Sequence, residues 1–347
     1  MVKVSIVGGS GYTGGEALRL LLSHPNFEVV QVTSERNAGK PVHVNHPNLR
    51  GVTKLKYSSI NDLEPVDCLI LGLPHGESQA RIKDLMTLAP RIADLAADFR
   101  LHDAALYEKY YGEPHHCPEL LSEFAYGVPE VNRAQIEGAT MISGAGCIAT
   151  CTITGLWPLF HAGIVKDNTV WVDAKVGSSA AGASPSPGSH HPERAGSLRS
   201  FKPTGHRHTA EAIEHLRADE IEPKVYLSAT STDSVRGILT TSQLFLKREM
   251  SEIDIRGVYR DAYGSEPFVR IVKERRGIFR YPEPKLLSGT NFVDIGFEIE
   301  EGTGRMIVMA AIDNLVKGSA GNVIQSLNIA NGWEETLGLE FPGLHPV

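Results

Sequence analysis

The sequence predicts an α/β chain in two units: a doubly wound parallel sheet first, then an α+β unit with a largely antiparallel sheet. Three observations lead there. The first 150 residues alternate short apolar runs with helical periodicity, the later residues carry long strand-like runs with few helices between them, and 347 residues exceed one ordinary core. Residues 2–7, VKVSIV, are a β-branched run ending in glycines; GGEALRLLLSHP then has helical periodicity and stops at Pro25. FEVVQVTS (27–34) is a second apolar strand, so the chain opens as strand, Gly loop, helix, strand. VDCLILGLP (66–74), RIADLAADFR (91–100) and ATMIS (139–143) supply further strands, the last running into SGAGCIAT (143–150). TVWVDAKVGSSAAG is a strand followed by small residues, 182–192 is a Gly/Ser/Pro/His loop, and HTAEAIEHLR (208–217) is a helix. KVYLSATS, GILTTSQLFL, FVDIGFEIE and RMIVMAAID read as strands, and GSAGNVIQSLNIANG (318–332) as an apolar helix able to pack back on the first unit. The expected units are residues 1–146, 147–316 and a returning tail, 317–347.

Bulk properties exclude several classes. With 41% hydrophobic and 22% charged residues the chain is an ordinary folded protein. A net charge of −7 argues against general nucleic-acid binding. No apolar run is long enough to span a membrane, and MVKVSIVGGSGYTGG reads as a strand entering a loop, not as a signal peptide. Four cysteines, Cys68, Cys117, Cys147 and Cys151, form no disulfide framework, so a reducing cytoplasm is expected. Cys147 and Cys151 lack CxxC spacing and HHC (115–117) has no paired ligand set, so no metal is expected.

GGSGYTGG (8–15) follows a strand and opens a helix, and its glycines satisfy both GxGxxG and GxxGxxG. Glycines let the backbone approach a pyrophosphate, and the helix N-terminus favours its charge, so this first βα turn predicts a dinucleotide-binding Rossmann unit. The second strand ends in Ser34-Glu35-Arg36. Glu35 suits the ribose 2′-hydroxyl of NAD, whereas Ser34 and Arg36 suit the 2′-phosphate of NADP; the balance is read as NADP.

Cys147 lies after Gly144 and Gly146 and before the apolar run IATCTITGLWPLF. A thiol at a helix start sits in the positive end of the dipole, which lowers its pKa, and the first-turn N–H groups can hold an oxyanion. Cys151, one turn on, and Cys68, inside a strand, read as packing residues. A thiolate nucleophile needs an acid/base partner, and GHRHTAE (205–211) offers His206 and His208, one for proton transfer and the other for substrate or structure. His190 and His191 fall in the solvated loop. Arg194, Arg199, Lys202 and Arg207 make 194–207 basic in an acidic protein, fit to meet a phosphate or an acidic partner. A dinucleotide site, a cysteine and a histidine together are the means for reducing an acyl phosphate through a thioester to an aldehyde.

GGSGYTGGE, LPHG (73–76), ADFRL (97–101), YGVPE (126–130), GAGCIAT, GHRHTAE, RGIL (236–239) and AIDNLVKGSAGNVIQSLN (311–328) occur in order along the chain. With them the sequence resembles the N-acetyl-γ-glutamyl-phosphate reductase family. The resemblance implies an NADP(H)-binding Rossmann domain, an α+β catalytic and dimerisation domain, a homo-oligomer (dimer or tetramer), Cys147 as nucleophile and His206 or His208 as acid/base. It also implies cofactor contacts at Gly8, Ser10, Gly11, Tyr12, Thr13, Ser34, Glu35, Arg36 and Asn314. Two features depart from the members that reduce the free N-acetylated substrate: GAGC lacks a Pro before the cysteine, and HRHTAE replaces HRHTPE. With SPSPGSHHPERAGSLRSFKPTGHRHTAE, they are similar to the branch whose substrate hangs on a small acidic amino-group carrier protein. That branch reduces carrier-linked L-2-aminoadipate 6-phosphate or L-glutamate 5-phosphate in lysine and arginine biosynthesis. Arg194, Arg199 and Arg207 are then the expected substrate or carrier contacts.

Overall fold

The computed structural model describes residues 1–218 and 222–347. The first sheet is parallel throughout. Its strands β1 (Val2–Val7), β2 (Phe27–Thr33), β3 (Tyr57–Ser58), β4 (Cys68–Leu71), β5 (Arg91–Asp94), β6 (Ala125–Gly127) and β7 (Met141–Gly144) lie in the order β3-β2-β1-β4-β5-β7-β6. Both faces are covered, as a parallel sheet requires, and β4 is buried at every residue. Its helices are α1 (Tyr12–Leu21), α2 (Glu77–Leu85), α3 (Ala104–Tyr111) and α4 (Pro129–Ile136). RIADLAADFR is strand only as far as Asp94. Asp94 accepts the Ala96 N–H at 2.9 Å and Asp98 accepts the Gly76 and Gln79 N–H groups, so carboxylates replace the ladder in a buried turn.

Helix α5 (Cys147–His161) follows, apolar nearly all round, and every residue except Cys147, Trp157 and His161 is buried. It lies against a second seven-stranded sheet built from β8 (Val165–Val176), β9 (Arg199–Lys202), β10 (Lys224–Ser231), β11 (Ile238–Leu246), β12 (Val269–Ile271), β13 (Val293–Ile299) and β14 (Arg305–Ile312). The order is β12-β13-β14-β11-β8-β10-β9. The centre, β13-β14-β11-β8, is antiparallel as expected. The β8/β10 and β12/β13 pairs are parallel, so the sheet is mixed. A short α6 (His191–Arg194) and α7 (His208–His215) fill the connection from β8 to β10. Helix α8 (Glu252–Tyr263), absent from the sequence reading, is announced by a Ser251/Asp254 capping box.

After β14 the chain makes a π-turn over Val316–Ala320 and enters α9 (Gly321–Ala330). Val323, Ile324 and Leu327 share a core with Val4, Ile6 and Leu18 of β1 and α1, so the last helix lies on the first sheet.

Candidate active site

The glycine loop is shaped by what surrounds each glycine. Gly8 has φ +82°, and a Cβ there would lie 2.6 Å from the Gly72 carbonyl oxygen; one on Gly14 would lie 2.8 Å from the Gly9 Cα. Gly11 differs, because nothing lies within 4 Å of its Cβ position. It caps α1 with no side-chain bond, which leaves the first-turn N–H groups without a side-chain acceptor beside open space. His46, which the sequence reading missed, buttresses the loop through a 2.7 Å bond between its Nε2 and the Gly9 carbonyl. At the end of β2, Ser34 Oγ donates to Ser10 Oγ at 2.9 Å. Glu35 is turned to the next loop, its carboxylate accepting from Ser59 Oγ at 3.1 Å and the Ile60 N–H at 2.6 Å. Arg36 is exposed and has no hydrogen-bond or ion-pair partner among the described residues. Tyr12 is exposed at the start of α1, with Thr13 beside it.

The second centre is the turn before α5. Arg100 holds it from one side, donating from Nε to the Gly144 carbonyl at 2.8 Å and from Nη2 to the Leu95 carbonyl at 3.1 Å. Glu211 holds it from the other: its Oε2 accepts the Gly146 N–H at 2.7 Å and the Tyr126 hydroxyl at 2.7 Å. Glycine is required here because a Gly144 Cβ would sit 2.9 Å from Val323 Cγ2 and a Gly146 Cβ 2.5 Å from His208 Nε2. His208 is buried, its Nε2 3.5 Å from Arg100 Nη1 and 3.9 Å from Glu211 Oε1, and its Nδ1 has no hydrogen-bond partner among the described residues. His206 Nδ1 accepts the His208 N–H at 3.1 Å, and the two rings meet edge to face at 4.6 Å.

These residues open on one cavity of about 350 Å³, lined by Cys147, His206, His208, Arg194, Arg199 and Arg207 among others. The structure thus brings together every expected catalytic residue and all three expected arginines. Arg194 donates to the Thr232 carbonyl and Arg199 to the Glu193 carbonyl at 2.6 Å, so both guanidinium groups are braced from the backbone. Lys202 does not line this cavity. Burial pushes the His206 pKa down to about 4, helped by the Arg207 and Lys202 charges, and drives His208 well below the usual imidazole range. Both imidazoles are therefore neutral at pH 7.

The thiol departs from the expectation of a lowered pKa. Cys147 is half-buried, and desolvation raises its pKa above the usual thiol value; Arg100, the Ile148 N–H and Arg207 oppose this without overcoming it.

Two ion-pair networks, one partly and one fully buried, join the centres, and sequence reasoning named neither. On α1, Glu16 pairs at 2.8 Å with Arg236 of RGIL, which also meets Asp313 at 3.0 Å. Fully buried Lys317 donates to Glu130 of YGVPE at 2.6 Å, to Gln325 and to Asn322. Between them the π-turn carries Gly318, whose Cβ position is 2.8 Å from Cys147 Cβ. Asn314 is buried beside this turn, accepting the Gly237 N–H at 2.8 Å and donating to Ser179 at 2.9 Å. Among the described residues no group of three or more His, Cys, Asp or Glu could hold a metal ion, and no helix is long and apolar enough to cross a membrane.

Residues 3–139 match the semialdehyde dehydrogenase NAD-binding domain, and residues 147–314 the semialdehyde dehydrogenase dimerisation domain. The [LysW]-L-2-aminoadipate 6-phosphate reductase of Deinococcus radiodurans is 55% identical, covering 99% of this chain and 98% of its own. The [LysW]-L-2-aminoadipate/[LysW]-L-glutamate phosphate reductase of Sulfurisphaera tokodaii is 42% identical over the full length of both chains. Among solved structures, aspartate semialdehyde dehydrogenase II of Vibrio cholerae in complex with ASA superposes with a TM-score of 0.70 at 15% identity, covering 96% of this chain and 98% of that one. The Candida albicans aspartate semialdehyde dehydrogenase with NADP gives 0.67 at 16% identity, covering 95% and 98%. The chain belongs to the semialdehyde dehydrogenase family and, within it, to the group of the [LysW]-L-2-aminoadipate 6-phosphate reductases.

Proposed function

We propose that this chain uses NADPH to reduce a carrier-protein-linked acyl phosphate, L-2-aminoadipate 6-phosphate, to the semialdehyde in lysine biosynthesis. The observation that carries the reading is the single cavity joining Cys147, two neutral histidines and three arginines, in a chain 55% identical end to end to a relative named for that substrate. Relatives named for both the six- and five-carbon substrates are more distant, at 47% for that of Haloarcula marismortui and 42% for that of Sulfurisphaera tokodaii. The free N-acetylated substrate is the reading these relatives argue against.

The residues fit the cofactor. The open place at Gly11 and the uncapped start of α1 suit a pyrophosphate, with Gly8, Ser10, Tyr12 and Thr13 shaping the loop. NADP is favoured over NAD because Glu35 is already held by Ser59 and Ile60 while Ser34 and the free Arg36 stand ready for a 2′-phosphate.

Cys147 resting as a thiol must lose its proton as it attacks. His206 Nδ1 already accepts a hydrogen bond, so neutral His206 carries its proton on Nε2 and acts as a donor toward the cavity. His208, whose Nε2 lies beside the Gly146 turn and among the described residues meets only a donor, Arg100, within hydrogen-bond distance, takes the thiol proton on Nε2. The sulfur then bonds to the acyl carbon, the carbon–oxygen bond to phosphate breaks, and the arginines receive the departing phosphate, which takes a proton from solvent. First-turn N–H groups of α5 face the carbonyl oxygen as it becomes negative. Bound NADPH supplies the hydride that reduces the resulting thioester. The Cys147 hemithioacetal alkoxide then collapses as its C–S bond breaks, and His208 returns to sulfur the proton it took.

Residues 1–146 are the cofactor unit, 147–316 the catalytic and dimerisation unit, and 317–347 the returning tail. Trp171 and Tyr226, stacked at 5.8 Å and about half exposed on the outer face of the second sheet, give a homodimer an apolar surface. Four free thiols fit a reducing cytoplasm. The test is a reductase assay with NADPH: carrier-linked aminoadipate 6-phosphate is expected to exceed free N-acetyl-γ-glutamyl phosphate in kcat/KM by about a hundredfold, because remote binding energy is used in the transition state. Equal or faster reduction of the free substrate overturns the reading.

A further inference from the structure

The cavity that holds Cys147 encloses about 350 Å³, room for a substrate arm but not for a folded protein. If the acyl group is attached to a carrier, as proposed above, the body of that carrier stays outside and an extended connecting segment crosses the cavity rim. Strand β9 forms part of that rim. It is the last strand of the second sheet, it pairs only with β10, and all four of its residues are exposed. Apart from that pairing, residues 199–202 make no backbone–backbone hydrogen bond among the described residues. Arg199 and Phe201 line the cavity, and Ser200 and Lys202 do not. Leu198 is 75% exposed and Phe201 48% exposed, giving the rim an apolar element.

Charge selects the occupant. Residues 190–210 contain Arg194, Arg199, Lys202 and Arg207 against one carboxylate, Glu193, in a chain of net charge −7. Two β9 edges brought together would repel, because each carries Arg199 and Lys202. An acidic segment is attracted instead. We propose that β9 is a docking edge on which an extended acidic segment of the carrier adds as a further strand, its backbone aligned by β9 and its substrate-bearing end directed into the Cys147 cavity. Backbone pairing gives grip independent of side chains, while Phe201 and Arg199 select the residues that face inward. Four residues guide about 13 Å of extended chain.

The proposal rests on the carrier-linked reading, and its test separates the two. Backbone amide exchange is measured on the whole enzyme with and without the carrier protein bearing unphosphorylated aminoadipate. The amides of 199–202 are expected to slow about tenfold or more, while those of β12 at the opposite sheet edge do not change. Ser200→Pro, which removes a strand N–H and stiffens the edge, is expected to reduce kcat/KM for the carrier-linked phosphate at least about tenfold more than for a small free acyl phosphate. Unchanged β9 exchange, in an enzyme that turns over the carrier-linked substrate, overturns the docking edge and leaves the function standing. Slowing of β9 with enzyme concentration alone also overturns it, by assigning the edge to a second copy. An enzyme that does not prefer the carrier-linked substrate fails the reading beneath it.

Discussion

Cys147 and Cys151 are one helical turn apart on α5, carry the same thiol, and have opposite fates. Cys151 is fully buried between α5 and the second sheet, its Sγ donating to the Ala310 carbonyl at 3.1 Å and lying 3.5 Å from Thr240 Oγ1. Burial pushes its pKa up to about 12. Cys147 is also raised by burial, but it faces Arg100, Arg207 and the Ile148 N–H and opens on a cavity with two neutral histidines. Desolvation alone makes an inert thiol; desolvation beside a neutral base and uncapped N–H groups makes one that reacts when a substrate arrives.

The largest expected effect comes from exchanging the two roles' residues for inert ones. Cys147→Ser is expected to lower kcat/KM by about 10⁴-fold or more with cofactor binding retained, whereas Cys151→Ala keeps activity within about threefold. Comparable losses from both, measured by NADPH oxidation, break the comparison.

An intermediate effect concerns pH. Because the folded Cys147 pKa lies above the usual thiol value, its thiolate fraction below pH 9 rises about tenfold per pH unit. Iodoacetamide alkylation of Cys147 in the free enzyme is therefore expected to climb without a plateau from pH 6 to 9, with Cys151 unlabelled until unfolding. A plateau below pH 8 means that the helix dipole outweighs desolvation, and the thiol then rests ionised.

How far the sequence shows this site follows from the range of the interactions. Local signals carried the glycine loop, Cys147 at a helix start and the two histidines, because each depends on its own neighbours: glycines before a helix, small residues before a thiol. The paired groups that brace them were hidden. Glu211 reaches Gly146 across 65 residues, Arg100 meets the same turn from a stretch read as strand, and Arg236 reaches Glu16 across 220. Nothing in the spacing of RGIL, YGVPE or NLVKGSAG says that Arg236 and Lys317 are paired cations, Lys317 fully buried; only the fold brings their carboxylates to them. Helix α8 was legible in its Ser251–Asp254 box and simply passed over. Strands of two to four residues, such as β3, β6 and β9, are too short to show a period.

The smallest expected effect is on stability. Cys151→Ala opens a small void against β11 and β14 and is expected to cost about 1–2 kcal/mol by chemical denaturation, while Cys147→Ser, at the cavity wall, costs less. A larger loss from Cys147→Ser would make that thiol a packing residue.

The central claim is that Cys147 itself takes the acyl group. Enzyme mixed with carrier-linked L-2-aminoadipate 6-phosphate in the absence of NADPH, quenched in acid and analysed by intact mass and peptide mapping, tests it directly. A covalent enzyme–carrier adduct on Cys147, present in Cys151→Ala and absent in Cys147→Ser, is the result the account predicts. Phosphate release with no adduct, or an adduct on any other residue, contradicts it.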